Sequence, residues 1–134
     1  MSHQSVDHPT SSYDRVDLTA AFSLACFAAL IYVTSLNVGF FSDDFYFIGR
    51  NAPVMERPLF IFHIFYRDFI PVVHASFAID WLLAHDWAPF YHLSSILFHA
   101  ITTALVFLLC RGFDTPRWLA ATATLLWAVN VHIS

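Results

Sequence analysis

Asp43 and Asp44 stand side by side just after an apolar run, Leu18 to Phe41, that carries no charge over 24 residues. Like charges held close together favour a shared proton. One such carboxylate can accept a proton from a hydroxyl while the other hydrogen-bonds or holds a cation. Ionisable groups at a membrane edge are costly to keep there and mark functional positions by default. The plainer alternative is a solvated cap just beyond a helix end. Arg57-Pro58-Leu59 and Arg67-Asp68 come next. The planar guanidinium fork suits phosphate, though each Arg could equally be an ion pair or a side chain snorkelling to the interface. Of the eight histidines, His92 and His99 are seven apart and so share one helix face. A metal site wants His or carboxylates at closer spacing. His63 with Asp68 does not offer it and His132 has no partner, so no metal ligands are assigned. Hydrogen bonding between packed helices is the plainer role for these histidines. No glycine-rich phosphate loop, serine nucleophile elbow or Cys-x-x-Cys pair occurs. An intramembrane peptidase is therefore disfavoured.

The composition says where such groups would have to work. Of 134 residues, 58% are hydrophobic and 12% charged, against about 25% charged in an ordinary soluble domain. There is no Lys, all six cations are Arg, and Phe contributes 15 residues. These values place the chain among membrane proteins. A net charge of −4 argues against nucleic acid, which needs a clustered basic surface. Two cysteines, Cys26 and Cys110, are too few for a disulfide framework and read as small buried hydrophobes.

The elements that must position the candidate residues are helices. Leu18–Phe41 exceeds the roughly 20 residues that cross a bilayer. Asp14 and Asp17 precede it, where acidic residues suit a helix N-terminus. The acidic flank and the length of the run argue for an uncleaved span rather than a signal peptide. A second span is expected over Tyr91–Cys110, with Arg111-Gly112 as its stop. Pro116 suits the opening of a third helix, and Trp118–Ser134 supplies 17 residues that end without a cap. That abruptness reads as a chain cut off inside a longer protein. Between spans one and two, Ser42–Phe90 is expected to form a long outer loop. Its apolar stretch holds Arg67-Asp68 and Pro71. Each charge costs about 2.5–3.5 kcal/mol at a span centre, and proline removes a donor. Two short interfacial helices, Pro58–Asp68 and Val72–His85, are therefore preferred to another span. Phe60, Phe62, Phe65 and Phe69 have near-helical spacing and read as an apolar face.

The expected fold is thus an all-α membrane protein with three transmembrane helices, 18–41, 91–110 and 118–134, and interfacial helices in the loop 42–90. Residues 1–17 form a polar N-terminus. Arg15, Arg111 and Arg117 flank the spans on one side, against Arg50, Arg57 and Arg67 in the long loop, which also carries six acids. The density of Arg in short segments places the N-terminus in the cytoplasm.

Taken in order, these pieces resemble the N-terminal part of a GT-C superfamily glycosyltransferase, closest to the protein mannosyltransferase-like branch. One span leads to an acidic pair at the head of a long outer loop, here Phe41-Ser42-Asp43-Asp44-Phe45. An Arg then precedes an apolar stretch ending in Asp, here Tyr66-Arg67-Asp68-Phe69-Ile70-Pro71 through Ser76-Phe77-Ala78-Ile79-Asp80. An aromatic-His entry into span two follows, Phe90-Tyr91-His92-Leu93, with a His one heptad later in Leu97-Phe98-His99. Asn130-Val131-His132 resembles the Pro-Val-His-like element at the end of span three. Arg67-Asp68 departs from the commoner Arg-Pro, although Arg57-Pro58 lies upstream.

The resemblance implies a multi-pass enzyme of the bacterial inner membrane or the endoplasmic reticulum. It would transfer a sugar from a polyprenyl-phosphate donor to an acceptor hydroxyl on the non-cytoplasmic face. It gives the general-base role to Asp43, with Asp44 as second choice. Arg57, Arg67, His92 and His99 become substrate-binding candidates. A divalent cation beside the acids stays open. Phosphate binding in such enzymes also draws on later spans, so the 134-residue chain alone is expected to be inactive. The alternative is a non-catalytic multi-span membrane protein, a scaffold or transporter piece.

Overall fold

The computed structural model describes residues 13–40, 44, 45, 48 and 70–129. Regular structure among these residues is helical throughout. Helix α1 is Arg15–Tyr32, continued by a 3-10 stretch, Val33–Asn37; α2 is Pro71–Ala84, α3 Ala88–Gly112 and α4 Arg117–Val129. The expected interfacial helix Pro58–Asp68 lies outside the described residues. So do Asp43, Arg57, Arg67, Phe60, Phe62, Phe65, Phe69 and the Asn130–His132 element.

Two helices are long and apolar enough to cross a membrane, Arg15–Asn37 and Ala88–Gly112, with mean hydropathies of 2.0 and 2.1. At roughly 1.5 Å per residue each exceeds the ~30 Å hydrocarbon thickness. Only 17% of each apolar window is buried within the protein. A core helix of a soluble protein would be mostly covered. Here Phe22, Leu30, Leu105 and Leu109 are exposed, which suits hydrocarbon as their solvent.

Asp14 sits at the N-cap of α1 and its Oδ1 accepts the Asp17 N–H at 2.8 Å. This satisfies one of the orphan donors of the first turn. The helix is expected to run to Phe41, but it narrows at Val33 and ends at Asn37, where Val38 turns extended. The β-branched pair Val33-Thr34 crowds the turn. Ser35 Oγ donates to the Tyr32 carbonyl at 2.7 Å, competing with the α-helical ladder.

Pro71 begins α2 rather than breaking it. At the first helical position proline forfeits a donor that would have had no partner. The expected bounds Val72–His85 therefore shift by one residue at each end. Pro89 likewise falls in the first turn of α3. Gly112 is not the left-handed stop that its position suggests. It is the last residue of α3, and the positive-φ position is Asp114, at φ 56°. Asp tolerates this conformation better than most residues. The Gly112 site is instead a close approach, since a Cβ there would lie 3.3 Å from the Tyr13 hydroxyl.

The chain divides into two compact units. The first holds residues up to Ala28 together with those from His99 onward. Its core joins Ala21 of α1, Phe107 of α3 and Ala120 of α4, with Leu24, Ala104 and Leu108 packed around them. Ala120, Thr124 and Ala128 are each fully buried. They recur every four residues, the small-residue stripe that lets apolar helices approach closely where lipid tails offer no hydrophobic drive. The second unit is Ala29–Phe98. There Tyr91 is 4% exposed, and its ring meets Phe40 edge-on at 5.3 Å and Phe77 at 6.2 Å. Its hydroxyl donates to the His85 carbonyl at 2.7 Å, tying the α2–α3 turn to α3.

Candidate functional site

Of the predicted site residues, Asp43, Arg57 and Arg67 fall outside the described residues. Asp44 is half-buried and Phe45 exposed. His92 and His99 both lie on α3, two turns apart. Their surroundings differ, and that decides what each can do.

His99 works between helices. Its Nε2 donates to the Ala128 carbonyl at 3.1 Å, which fixes the proton on that nitrogen because a carbonyl only accepts. Its ring stacks on Trp127 with centroids 5.1 Å apart and planes at 24°. Ala128 belongs to α4, so this bond ties α3 to the backbone of α4. Thr103 Oγ1, one turn further along α3, donates to the His99 carbonyl at 2.8 Å. His92 is half-buried, and its Nε2 has no hydrogen-bond partner among the described residues. A shielded imidazole nitrogen without a partner retains the capacity to bind a substrate oxygen.

A second polar centre forms around Asp80, which closes the apolar stretch of the sequence pattern but is given no role there. Asp80, 5% exposed on α2, accepts the Ser94 hydroxyl of α3 at 2.7 Å. The same hydroxyl lies 3.0 Å from the Tyr91 carbonyl. Burial pushes the Asp80 carboxyl above its ordinary value, and the Ser94 bond pulls part of the way back. The pair borders a groove of about 380 Å³ whose other walls include Val72, Ile79, Leu83, Phe90 and Phe98. The visible signal was one acid in an otherwise apolar α2 sequence. The serine 14 residues later became its partner only through the helix packing.

The third centre lies at the start of α1. Asp17, 3% exposed, accepts on one oxygen from Arg111 Nε at 2.9 Å and Arg117 Nε at 2.8 Å. Arg117 also donates to Asp14, and Arg111 to the Thr115 carbonyl. This cluster brings the first turn of α1, the last turn of α3 and the first turn of α4 to one end of the first unit. It lets these groups organise helices while their charges cancel.

Among the described residues no group of three His, Cys, Asp or Glu side chains is placed to hold a metal ion. Comparison with known proteins returned no matching family model, no similar curated protein and no similar solved structure.

Proposed function

We propose that the chain is the N-terminal part of a GT-C-type membrane glycosyltransferase that uses a polyprenyl-phosphate-linked sugar. The observation that carries this reading is an order. A long apolar helix ends at Asn37, six residues before Asp43-Asp44 in the sequence, and a second apolar helix carries Tyr91-His92 in its first turns and His99 one heptad on. In this reading α4 begins a third span over 118–134, and 42–90 is a loop on the non-cytoplasmic face. The shared cluster of Asp17, Arg111 and Arg117 supports that topology, because α1 and α4 then start, and α3 ends, at the same membrane surface.

Asp43 is the general base. It takes the proton of the acceptor hydroxyl as that oxygen bonds to the sugar C1, and the C1–O bond to the polyprenyl phosphate breaks. The leaving phosphate carries away the electron pair. Arg57 and Arg67 offset its charge, since fixed cations aimed at developing charge stabilise a transition state most in a water-poor site. Asp44 holds the acceptor or the base in place, and His92 binds a substrate oxygen.

The test uses the protein encoded by the complete reading frame, in membranes, with a lipid-linked sugar donor. Asp43→Asn is expected to abolish transfer while leaving membrane insertion intact. Retained transfer would remove Asp43 from the mechanism. A second reading, a non-catalytic membrane protein, is favoured by one observation: His99 is already engaged with Trp127 and Ala128. It predicts no sugar transfer by the full-length protein under any donor.

A further inference from the structure

We propose that Asp17 is an assembly latch that specifies where α1 seats on the α3–α4 pair, independently of any sugar-transfer chemistry. Three helix ends meet at one carboxylate oxygen. The two guanidinium groups come from positions 94 and 100 residues downstream of Asp17. The guanidinium nearest in sequence, Arg15, makes none of the three salt bridges of the cluster.

The balance of charge within the cluster is complete. Asp14 and Asp17 oppose Arg111 and Arg117, and the three salt bridges leave neither arginine without a carboxylate. The local geometry is fixed from both sides. Asp14 caps α1 and so orients the turn that presents Asp17. Arg111 also holds the Thr115 carbonyl, which fixes the α3–α4 turn beside it. Phe107 is the large side chain of the first unit's buried core, and the residues that α1 and α4 bring to that core, Ala21 and Ala120, are small and add little register of their own. A buried charge that finds its partners in one arrangement alone penalises every slipped alternative. Such groups are best attested as register devices rather than as sources of net stability.

The latch is tested by cross-linking within the full chain in membranes. Cys26→Ala and Cys110→Ala remove the native thiols, and Ala21→Cys with Ala120→Cys, at two positions of one buried cluster, reports the seating of α1 beside α4. A membrane-permeant bifunctional thiol reagent that spans that cluster is expected to cross-link this reference efficiently. Adding Asp17→Arg is expected to cut the cross-linked fraction to less than half at equal membrane content. Adding Arg111→Asp to that variant restores a carboxylate between two guanidiniums and is expected to recover the yield. An unchanged yield in Asp17→Arg overturns the proposal. A loss that the compensating change does not reverse also overturns it, because the site would then depend on shape rather than charge. Membrane content read by immunoblot separates lost seating from lost insertion.

Discussion

Arg111 reaches back 94 residues to place its Nε 2.9 Å from the carboxylate of Asp17. Arg117 reaches the same oxygen from the far side of the α3–α4 turn. The two arginines are not equivalent. The Arg111 side chain is 21% exposed and that of Arg117 47%, and Arg111 alone of the two also fastens the Thr115 carbonyl.

Arg111→Ala is therefore expected to lower the melting temperature in detergent more than Arg117→Ala, with a loss of roughly 5 °C or more for Arg111. Asp17 keeps one arginine in either variant, so the difference comes from the greater shielding of Arg111 and from the Thr115 carbonyl that it also holds. Thermal unfolding followed by circular dichroism checks the order. Equal losses would show that burial does not distinguish the two.

Phe107 fills the centre of the first unit, fully buried beside Ala21 and Ala120. Neither alanine can extend into the space it would leave. Phe107→Ala is expected to cost about 3–5 kcal/mol, and Phe107→Leu clearly less. Denaturant titration of the two variants in the same micelle measures the difference.

Asp80 gives the α2–α3 pairing a pH dependence of defined sign. Burial raises its carboxyl in the folded protein, so the folded state holds the proton more tightly than the unfolded one. The stability this contributes is complete below the ordinary carboxylate range near 3.8 and is lost as pH rises through the raised value. His74, fully buried on α2, is shifted down by burial. Its contribution is present above the ordinary imidazole value of 6.5 and lost as pH falls through the lowered one. The comparison that isolates Asp80 is wild type against Asp80→Asn. The variant is expected to lack the decline on the acidic side while retaining the histidine response. Ser94→Ala should cost about 1 kcal/mol and push the decline to higher pH, because its hydrogen bond favours the charged carboxylate.

His99 and His92 should separate in function. His99→Ala is expected to lose about 1 kcal/mol of stability with its bond to the Ala128 carbonyl, and Trp127 fluorescence is expected to shift as its stacking partner disappears. His92→Ala should leave that fluorescence unchanged and weaken substrate binding in the full-length enzyme. A His92 variant with unaltered KM would remove it from the binding site.

In that same enzyme, Asp43→Asn is expected to reduce kcat by about 10²–10⁴, the usual contribution of a general base. Asp44→Asn should have the smaller effect. The 134-residue chain by itself is expected to show no transfer, and measurable turnover by it would contradict the proposed division of the site.

The sequence by itself determined the helical class and the two long apolar helices, with their ends placed only to within a few residues. Those features follow from local chemistry: apolar length, Asp14 at an N-terminus, Pro116 at a helix opening. Where local reading slipped, a local competitor was present, as with Ser35 and the β-branched pair at the end of α1, or Asp114 taking the left-handed position in place of Gly112. Tertiary structure alone decided the partners. An acid read as a helix-terminus charge became the meeting point of Arg111 and Arg117, a heptad histidine bonded to the backbone of another helix, and a lone acid in α2 found Ser94. Pairing across 94 residues leaves no trace in spacing, because it depends on which helix faces meet. In helices this apolar, those faces are chosen by small-residue packing and buried polar contacts, which apolar length alone does not report.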